Sequence, residues 1–376
     1  MRAARVDVDL AAIAHNVGVV RDLVAPALLC AVVKADGYGH GSIAVSEAAL
    51  DAGADWLSVA LVEEAAVLRK AGISAPILLL SPPRMADLPA AVRYDLRVTV
   101  TSMAMVAPLA DTAREQGRVV AVHMKVDTGM NRIGVDPRDA SALARAIVAR
   151  PELRLEGVFT HCAVADEPEH PFTAEQLARL DVVLDELAAA GIVPDLCHAG
   201  NSATAIAHPH GRRDLVRVGI AVYGIAPSPV LTDALELRPA LSLRAEVSQV
   251  KRVGAGEGIS YGLRHRFADD TTVATVPIGY ADGVPRRLGL VGGEVLIGGR
   301  RRPIVGVVTM DQLMVDCGDD DVAVGDEVVL IGTQGDEHIS AADVAHRLDT
   351  IPYEVVCGLG PRVPRFYAGG HRDTDR

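Results

Sequence analysis

Leu28-Leu-Cys-Ala-Val-Val-Lys34-Ala-Asp-Gly-Tyr-Gly-His-Gly41 opens as an unbroken apolar run, ends that run in a lysine, and then passes through a glycine-rich loop into a helix. A strand covered on both faces buries both rows of its side chains, so it reads as continuous apolar sequence rather than as alternation. Comparable runs recur at residues 56–60, 76–80, 97–101, 120–126, 155–160, 194–197 and 215–218. Helical stretches fill the gaps. Asp136-Pro137 supplies an N-cap and a first-turn proline, Ala140, Leu143 and Ile147 form an apolar stripe, and Pro151 stops the helix. Thr173 and Gln176 have the spacing of a capping box, Leu177, Leu180, Leu184 and Leu187 follow at helical intervals, and Gly191 ends the segment. Eight strand–helix alternations in about 230 residues predict an α/β chain with a (β/α)₈ TIM-type barrel over residues 11–230. A doubly wound sheet fits less well, because its glycine fingerprint is missing from the first turn.

Beyond residue 229 the texture changes. Leu241, Leu243, Ala245 and Val247 alternate with polar residues, and the runs 294–297, 303–308, 313–316 and 327–331 are separated by glycine-rich turns. This predicts a mainly antiparallel β domain over residues 231–376, with one short helix from Ser340. Residues 5–10 also alternate, so the N-terminal segment 1–10 is expected to pack as a strand with that domain. The polar tail 369–376 is the one low-complexity stretch.

The chain has 376 residues, which at roughly 150 per domain predicts two domains. Apolar residues make up 49% and charged residues 23%, which excludes disorder and collagen-like or coiled-coil architectures. Lys and Arg number 37 against 49 Asp and Glu, and the net charge of -12 opposes binding to nucleic acid or an anionic membrane. Residues 1–10 are charged throughout and carry no export-type apolar stretch, and no run reaches the ~18 apolar residues of a spanning helix. A cytoplasmic protein is expected. Cysteines at 30, 162, 197, 317 and 357 form an odd set without CxxC, expected to be buried free thiols, and no metal site is predicted.

Barrels keep their reactive groups at the C-terminal ends of the strands. Those ends carry Lys34, then Lys125 and Asp127 leading to Arg132, then Thr160-His161, His198-Ala-Gly-Asn201-Ser202, and Arg217-Val-Gly219-Ile220. Singly, each has a plain explanation: a solvated lysine, a satisfied histidine, an N-cap. Lys34, however, follows apolar Ala31-Val-Val33, where partial desolvation lowers an amine's pKa and permits Schiff-base chemistry. A helix start at Asn201-Ser202 beside Gly219-Ile220 offers backbone N–H groups to an anion, in the region where barrels bind phosphate. A lysine on one strand end and a phosphate nest on the last ones fit pyridoxal phosphate. Aromatic residues are only 3% of the chain, yet Tyr38, Tyr261, Tyr280 and Tyr353 all sit in Gly- or Pro-marked segments.

Taken together, residues 31–41, 127–134 (Asp-Thr-Gly-Met-Asn-Arg-Ile-Gly), 198–202, 217–224, 259–262 (Ile-Ser-Tyr-Gly) and 309–312 (Thr-Met-Asp-Gln) resemble, in the same order, the motifs of the alanine racemase family. The resemblance covers nearly the whole chain. It implies that Lys34 is joined to pyridoxal 5'-phosphate as an imine and acts as one base. Tyr261, supplied by the β domain of the partner subunit, would serve the opposite face, so that the enzyme works as a homodimer with shared sites. Tyr38, Ser202, the backbone of Gly219 and Ile220, and Tyr353 would hold the phosphate, with Asn201 beside them. Arg132 and the N–H of Met310 would hold the substrate carboxylate, and Tyr280 would stand at the substrate entrance. By the same resemblance His161 bonds Tyr261, and Arg217 bonds both His161 and the ring nitrogen. A tyrosine's ordinary pKa of ~10 calls for such neighbours if it is to act as a base. The reaction would supply D-alanine for peptidoglycan.

A guanidinium only donates, so a ring nitrogen facing Arg217 must accept and stay unprotonated, which weakens the ring as an electron sink and disfavours transamination. Lys125 is either carbamylated, as in some relatives, or a plain lysine paired with Asp127. Gly200 stands where the family often has Ala, and Thr309 where it often has Cys. Three other activities compete: a racemase of serine or broader specificity, a pyridoxal-phosphate carrier, and a decarboxylase. Carriers typically lack the β domain, and no motif here resembles the decarboxylase cysteine.

Overall fold

The computed structural model describes residues 3–370; positions 1–2 of the N-terminal segment and 371–376 of the polar tail lie outside the described residues. The chain forms two units. One comprises residues 12–37 and 42–239, the other residues 1–11, 38–41 and 240–376.

Strand β1 (Arg5–Asp9) belongs to the second unit. The first unit holds β2 (Leu28–Val32), β3 (Trp56–Val59), β4 (Ile77–Leu79), β5 (Leu96–Val100), β6 (Val120–Lys125), β7 (Leu153–Phe159), β8 (Leu196–His198) and β9 (Leu215–Val218). They pair in parallel in the order β8-β7-β6-β5-β4-β3-β2-β9. The two ends of that order meet: Asp214 N donates to Cys197 O at 3.0 Å and Arg217 N to Gly200 O at 2.8 Å. The result is the eight-stranded barrel that the unbroken apolar runs imply, with every residue of β3, β4 and β9 buried.

Helix Pro137–Val148 starts as the sequence requires, Asp136 accepting from Arg138 N at 2.9 Å, with Ala140, Leu143 and Ile147 buried. The capping box at Thr173 and Gln176 does not form. The helix Phe172–Ala189 begins before Thr173, and both side chains are buried within it. Gln176 instead accepts from Ala163 N at 2.8 Å and donates to His161 O at 3.1 Å, bracing the loop after β7. Residues 231–239, grouped by composition with the β domain, cluster with the barrel. Asn16 ties them there, donating to Arg238 O at 2.8 Å and accepting from Arg238 N at 2.8 Å.

The second unit holds β10 (Leu241–Glu246), β11 (Gln249–Val253), β12 (Gly258–Ile259), β13 (His265–Arg266), β14 (Thr271–Val276), β15 (Glu294–Ile297), β16 (Arg300–Pro303), β17 (Leu313–Gly318), β18 (Glu327–Gln334), β19 (Glu337–Ile339) and β20 (Arg365–Ala368). One sheet runs β16-β15-β18-β10-β1-β20 with β19 on β18, a second β11-β14-β17, and β12 and β13 form a hairpin. β1 lies antiparallel to β10 and parallel to β20. Of the run 303–308 only Pro303 is in a strand, ending β16 opposite Glu294; the apolar residues of 304–308 are buried, with the isolated Ile304–Val315 bridge as their ladder contact, and Gly306 turns at φ +71° beneath Ser260. Ser340 caps the helix Ala341–Leu348, accepting from Asp343 N at 2.9 Å. No cysteine is in a disulfide among the described residues; Cys30, Cys162 and Cys317 are buried, but Cys197 is half-buried and Cys357 exposed. Among the described residues no helix is long and apolar enough to cross a membrane.

Candidate active site

Lys34 is half-buried and stands just past β2, where the chain enters an unusual turn. Ala35 (φ 52°, ψ 49°), Asp36 (51°, 52°) and Gly37 (61°, 43°) are all left-handed, and Tyr38 follows at φ 52°. Gly37 adopts this conformation freely, but each of the three L-residues costs about 1–2 kcal/mol there. Two carboxylates hold the turn. Glu64 accepts from Ala35 N at 2.7 Å and, through its other oxygen, from Ala60 N and Leu61 N at 2.8 and 3.0 Å, while Asp36 accepts from Ser42 N at 2.8 Å.

On β9, the strand paired with β2, Arg217 is 3% exposed and in register with Cys30. Its guanidinium donates to His198 Nδ1 at 2.7 Å, to the carbonyls of Thr160 and Ala199 at 2.9 and 3.1 Å, and to His161 Nδ1 at 3.3 Å. Burial lowers its pKa to about 10, which leaves it protonated near neutral pH. His161 is held well below the usual imidazole range by burial and then by the charges of Arg217, Arg132, Lys125 and Lys34. One imidazole thus senses four of the cations that the sequence singles out. Since Arg217 only donates, His161 Nδ1 accepts, and a neutral His161 carries its proton on Nε2.

Lys125, 3% exposed at the end of β6, donates to Ile133 O at 2.8 Å. Burial, with Arg217 and Arg132 against it and Asp127 in its favour, brings its pKa down to about 8. Asp127 spends an oxygen on Gly129 N and Asn131 N, both at 3.0 Å, folding the loop from which Arg132 is exposed. Asn201 caps the helix Ser202–Ala207 through Thr204 N at 2.8 Å. Ser202 Oγ accepts from Gly219 N at 3.0 Å, which leaves its own proton to donate, and Ile220 opens the next helical turn.

In the second unit the rings of Tyr38 and Tyr353 lie 6.1 Å apart at 45°. Burial, then Tyr353 and Cys357, push the Tyr38 hydroxyl well above its usual pKa. Tyr261 is 71% exposed beside the β12–β13 hairpin and follows Ser260 at φ 63°, ψ −179°, a conformation that L-residues avoid. Ser260 Oγ donates to Val307 O at 2.7 Å. Tyr280 N donates to Thr309 O and Ala281 N to Met310 O, both at 3.0 Å, which brings Tyr280 and Met310 together; both side chains are exposed.

Known proteins resemble this chain along its length. A family profile for the alanine racemase N-terminal domain matches residues 8–227, and one for the C-terminal domain matches residues 240–367. The chain belongs to the alanine racemase family. It is 49% identical to an alanine racemase of Symbiobacterium thermophilum over 98% of both chains, and 45% identical to one of Thermobifida fusca over 98% of both. The crystal structure of alanine racemase from the D-cycloserine producing Streptomyces lavendulae superposes with a TM-score of 0.94 at 39% identity, covering 98% of each chain.

The alanine racemase motifs left out several residues that hold the site. Glu64 looks in sequence like an ordinary first-turn acid. His123, within the apolar run 120–126, and Glu156, within 155–160, are polar residues in strands covered on both faces, and that mismatch was the available signal. The donor set fits pyridoxal phosphate: an amine at a strand end, a hydroxyl with a free proton beside two helical starts, and a buried donor-only cation.

Proposed function

We propose that the chain interconverts L- and D-alanine, using pyridoxal 5'-phosphate and two proton carriers, Lys34 and the partner subunit's Tyr261, in a homodimer with shared sites. The buried, donor-only Arg217 and its bond to His161 carry this reading. Its product would serve peptidoglycan synthesis in the cytoplasm.

The bound cofactor supplies the conjugated system that takes up the electron pair when the substrate's Cα–H proton leaves. Lys34 holds the cofactor and moves a proton at Cα on one face. Tyr261 moves one on the other, so inversion needs no group to swing around the plane. His161 Nε2–H is available to donate to the Tyr261 oxygen. Arg217, which can only donate, would face the cofactor's ring nitrogen and favour its unprotonated form. Ser202, Gly219 and Ile220 would hold the phosphate, with Asn201 fixing the helix start, and Tyr38 and Tyr353 are the further phosphate residues that the family resemblance implies. Arg132 and Met310 N–H orient the substrate carboxylate, and Tyr280 narrows the entrance. Lys125 is either a plain lysine paired with Asp127 or, through its neutral amine, forms an N–C bond to dissolved carbon dioxide, releases a proton to solvent and carries a carbamate that pairs with Arg132.

Purified protein with pyridoxal phosphate and L-alanine should yield D-alanine without carbon dioxide, and slower turnover of L-serine in a parallel assay. Carbon dioxide release, or no D-product, would refute the reading. Borohydride reduction should label the Lys34 peptide.

A further inference from the structure

Beyond Arg217 the barrel core continues into a polar chain that the chemistry above does not use. Arg217 bonds His198 Nδ1 at 2.7 Å, His198 Nε2 lies 2.8 Å from His123 Nδ1, and His123 Nε2 lies 3.0 Å from Glu156 Oε2. His123 and His198 are 0% exposed. Glu156 is flanked by Arg97 and Arg154. Buried polar chains cost stability unless every member is satisfied.

Donor and acceptor chemistry permits one protonation pattern. A guanidinium cannot accept, so His198 Nδ1 must be bare, and a neutral His198 carries its proton on Nε2. That proton requires His123 Nδ1 to be bare, so the His123 proton is on Nε2 and points at Glu156, a carboxylate that only accepts. Donation therefore runs one way from Arg217 to Glu156. Burial first, and neighbouring charge second, hold His198 well below its usual pKa; burial likewise outweighs the Glu156 bond at His123. Burial opposes the charge on Glu156, but the His123 bond and the two arginines keep its carboxyl below the usual range.

The packing is built around this chain. A Cβ on Gly157 would lie 2.4 Å from His123 Nδ1, so only glycine leaves room for that ring against β7. Phe159 stacks on His198 at 4.6 Å and 9°, and Trp56 meets His123 edge-on at 5.6 Å.

We propose that His123 and Glu156 are positioning residues for Arg217, acting through His198 by fixing its tautomer, so that the guanidinium always meets an acceptor and keeps its other donors on His161 and the barrel mouth. The proposal rests on the Arg217 role given under Proposed function. Without the chain, His198 can carry its proton on Nδ1 and oppose the guanidinium head-on. Arg217 then shifts, and its grip on the ring nitrogen and His161 weakens.

The test is ¹⁵N NMR of histidine-labelled protein, both as holoenzyme and without cofactor. His123 and His198 should both show the neutral Nε2–H pattern from pH 6 to pH 8. Glu156→Gln, whose amide oxygen still accepts, should keep it. His123→Leu should give a mixed tautomer at His198, and Gly157→Ala, which removes no polar group but displaces the ring, should do the same. The latter two variants should lower kcat about tenfold or more with KM little changed and raise the transamination fraction. That corresponds to roughly 1.4 kcal/mol at the reacting complex. An imidazolium or an Nδ1–H tautomer at either histidine in the unaltered protein overturns the proposal, even if no variant folds. So does an unchanged His198 signal with unchanged product partition in folded His123→Leu and Gly157→Ala. Absence of racemisation by the unaltered protein would refute the functional reading and leave the tautomer result standing on its own.

Discussion

Both proposed proton carriers adjoin left-handed backbone, but they are held in different ways. Lys34 is half-buried and precedes four consecutive left-handed residues, Ala35 to Tyr38, whose first N–H is bound by a carboxylate on another barrel element. Tyr261 is 71% exposed and follows a single strained serine, fixed by a neutral bond to Val307 O and by the space that Gly306 leaves. The barrel completes its own charged surroundings around Lys34. The β unit aims a tyrosine and leaves its ring open. That difference agrees with a site whose second base serves a partner subunit, and it makes the two residues respond differently to mutation.

The largest effect is expected at Lys34. Lys34→Ala removes both the cofactor anchor and one proton carrier, and racemisation should fall by more than about 10⁴-fold, the upper range for one acid–base group. A residual rate near that of the unaltered enzyme would break the comparison at its barrel side. Tyr261→Phe keeps the ring and removes only the hydroxyl, so a loss of about 10²–10⁴-fold is expected. The thermal midpoint should stay within error, since the ring is largely exposed. A large drop in stability would mean that Tyr261 is structural.

Arg217→Glu sharpens the electrostatic half of the contrast. Glutamate accepts where arginine donates, so a cofactor ring nitrogen facing it can be protonated, and the transamination fraction should rise. An unchanged partition between the two outcomes would remove that account.

The parallel barrel was legible because runs such as Leu28–Val32 and Leu215–Val218 are apolar on both faces, and period alone separates them from the alternating Leu241–Glu246. Lys34, His161, Ser202 and Arg217 were legible because strand ends are where barrels put chemistry. Their supports were not. Gln176 has the spacing of a cap, yet it braces the His161 loop, because tertiary bonds outweigh local preference once a side chain is buried. The run 303–308 has strand composition, but a close approach to Ser260 decides its path. His123 and Glu156 stand out only as polar residues inside apolar runs, and their roles exist only once β6, β7 and β8 are side by side.

Acidity separates the barrel by another route. Burial holds His123, His161 and His198 below the ordinary imidazole pKa of ~6.5. The unfolded chain therefore binds more protons than the folded one as pH falls through that value. The stability conferred by the neutral histidines is full above about pH 6.5 and is lost on acidification, each histidine contributing up to about 1.4 kcal/mol per pH unit. Urea midpoints measured between pH 7.5 and 5 should show this slope, reduced in His198→Phe. A flat profile would mean that these histidines take up protons alike in the folded and the unfolded chain.

The smallest effects test the two turns directly. Glu64→Ala leaves three N–H groups without their carboxylate, and a charge-assisted bond of this kind is worth about 1.5–3 kcal/mol when protected and less at the exposed Ala35. A destabilisation of roughly 1–3 kcal/mol is expected, with weaker cofactor retention as the Lys34 turn relaxes. Gly306→Ala is the matching change at Tyr261. Its Cβ would stand 2.7 Å from Ser260 Cβ at a glycine with φ +71°, so the serine must move and carry Tyr261 with it. Because Tyr261 makes its proposed contribution in the partner's site, Gly306→Ala should lower kcat while cofactor retention by the variant's own Lys34 persists. Glu64→Ala should lower retention first. Equal loss of retention in both variants would show that the turns are not independently held, and the contrast between the two regions would fail.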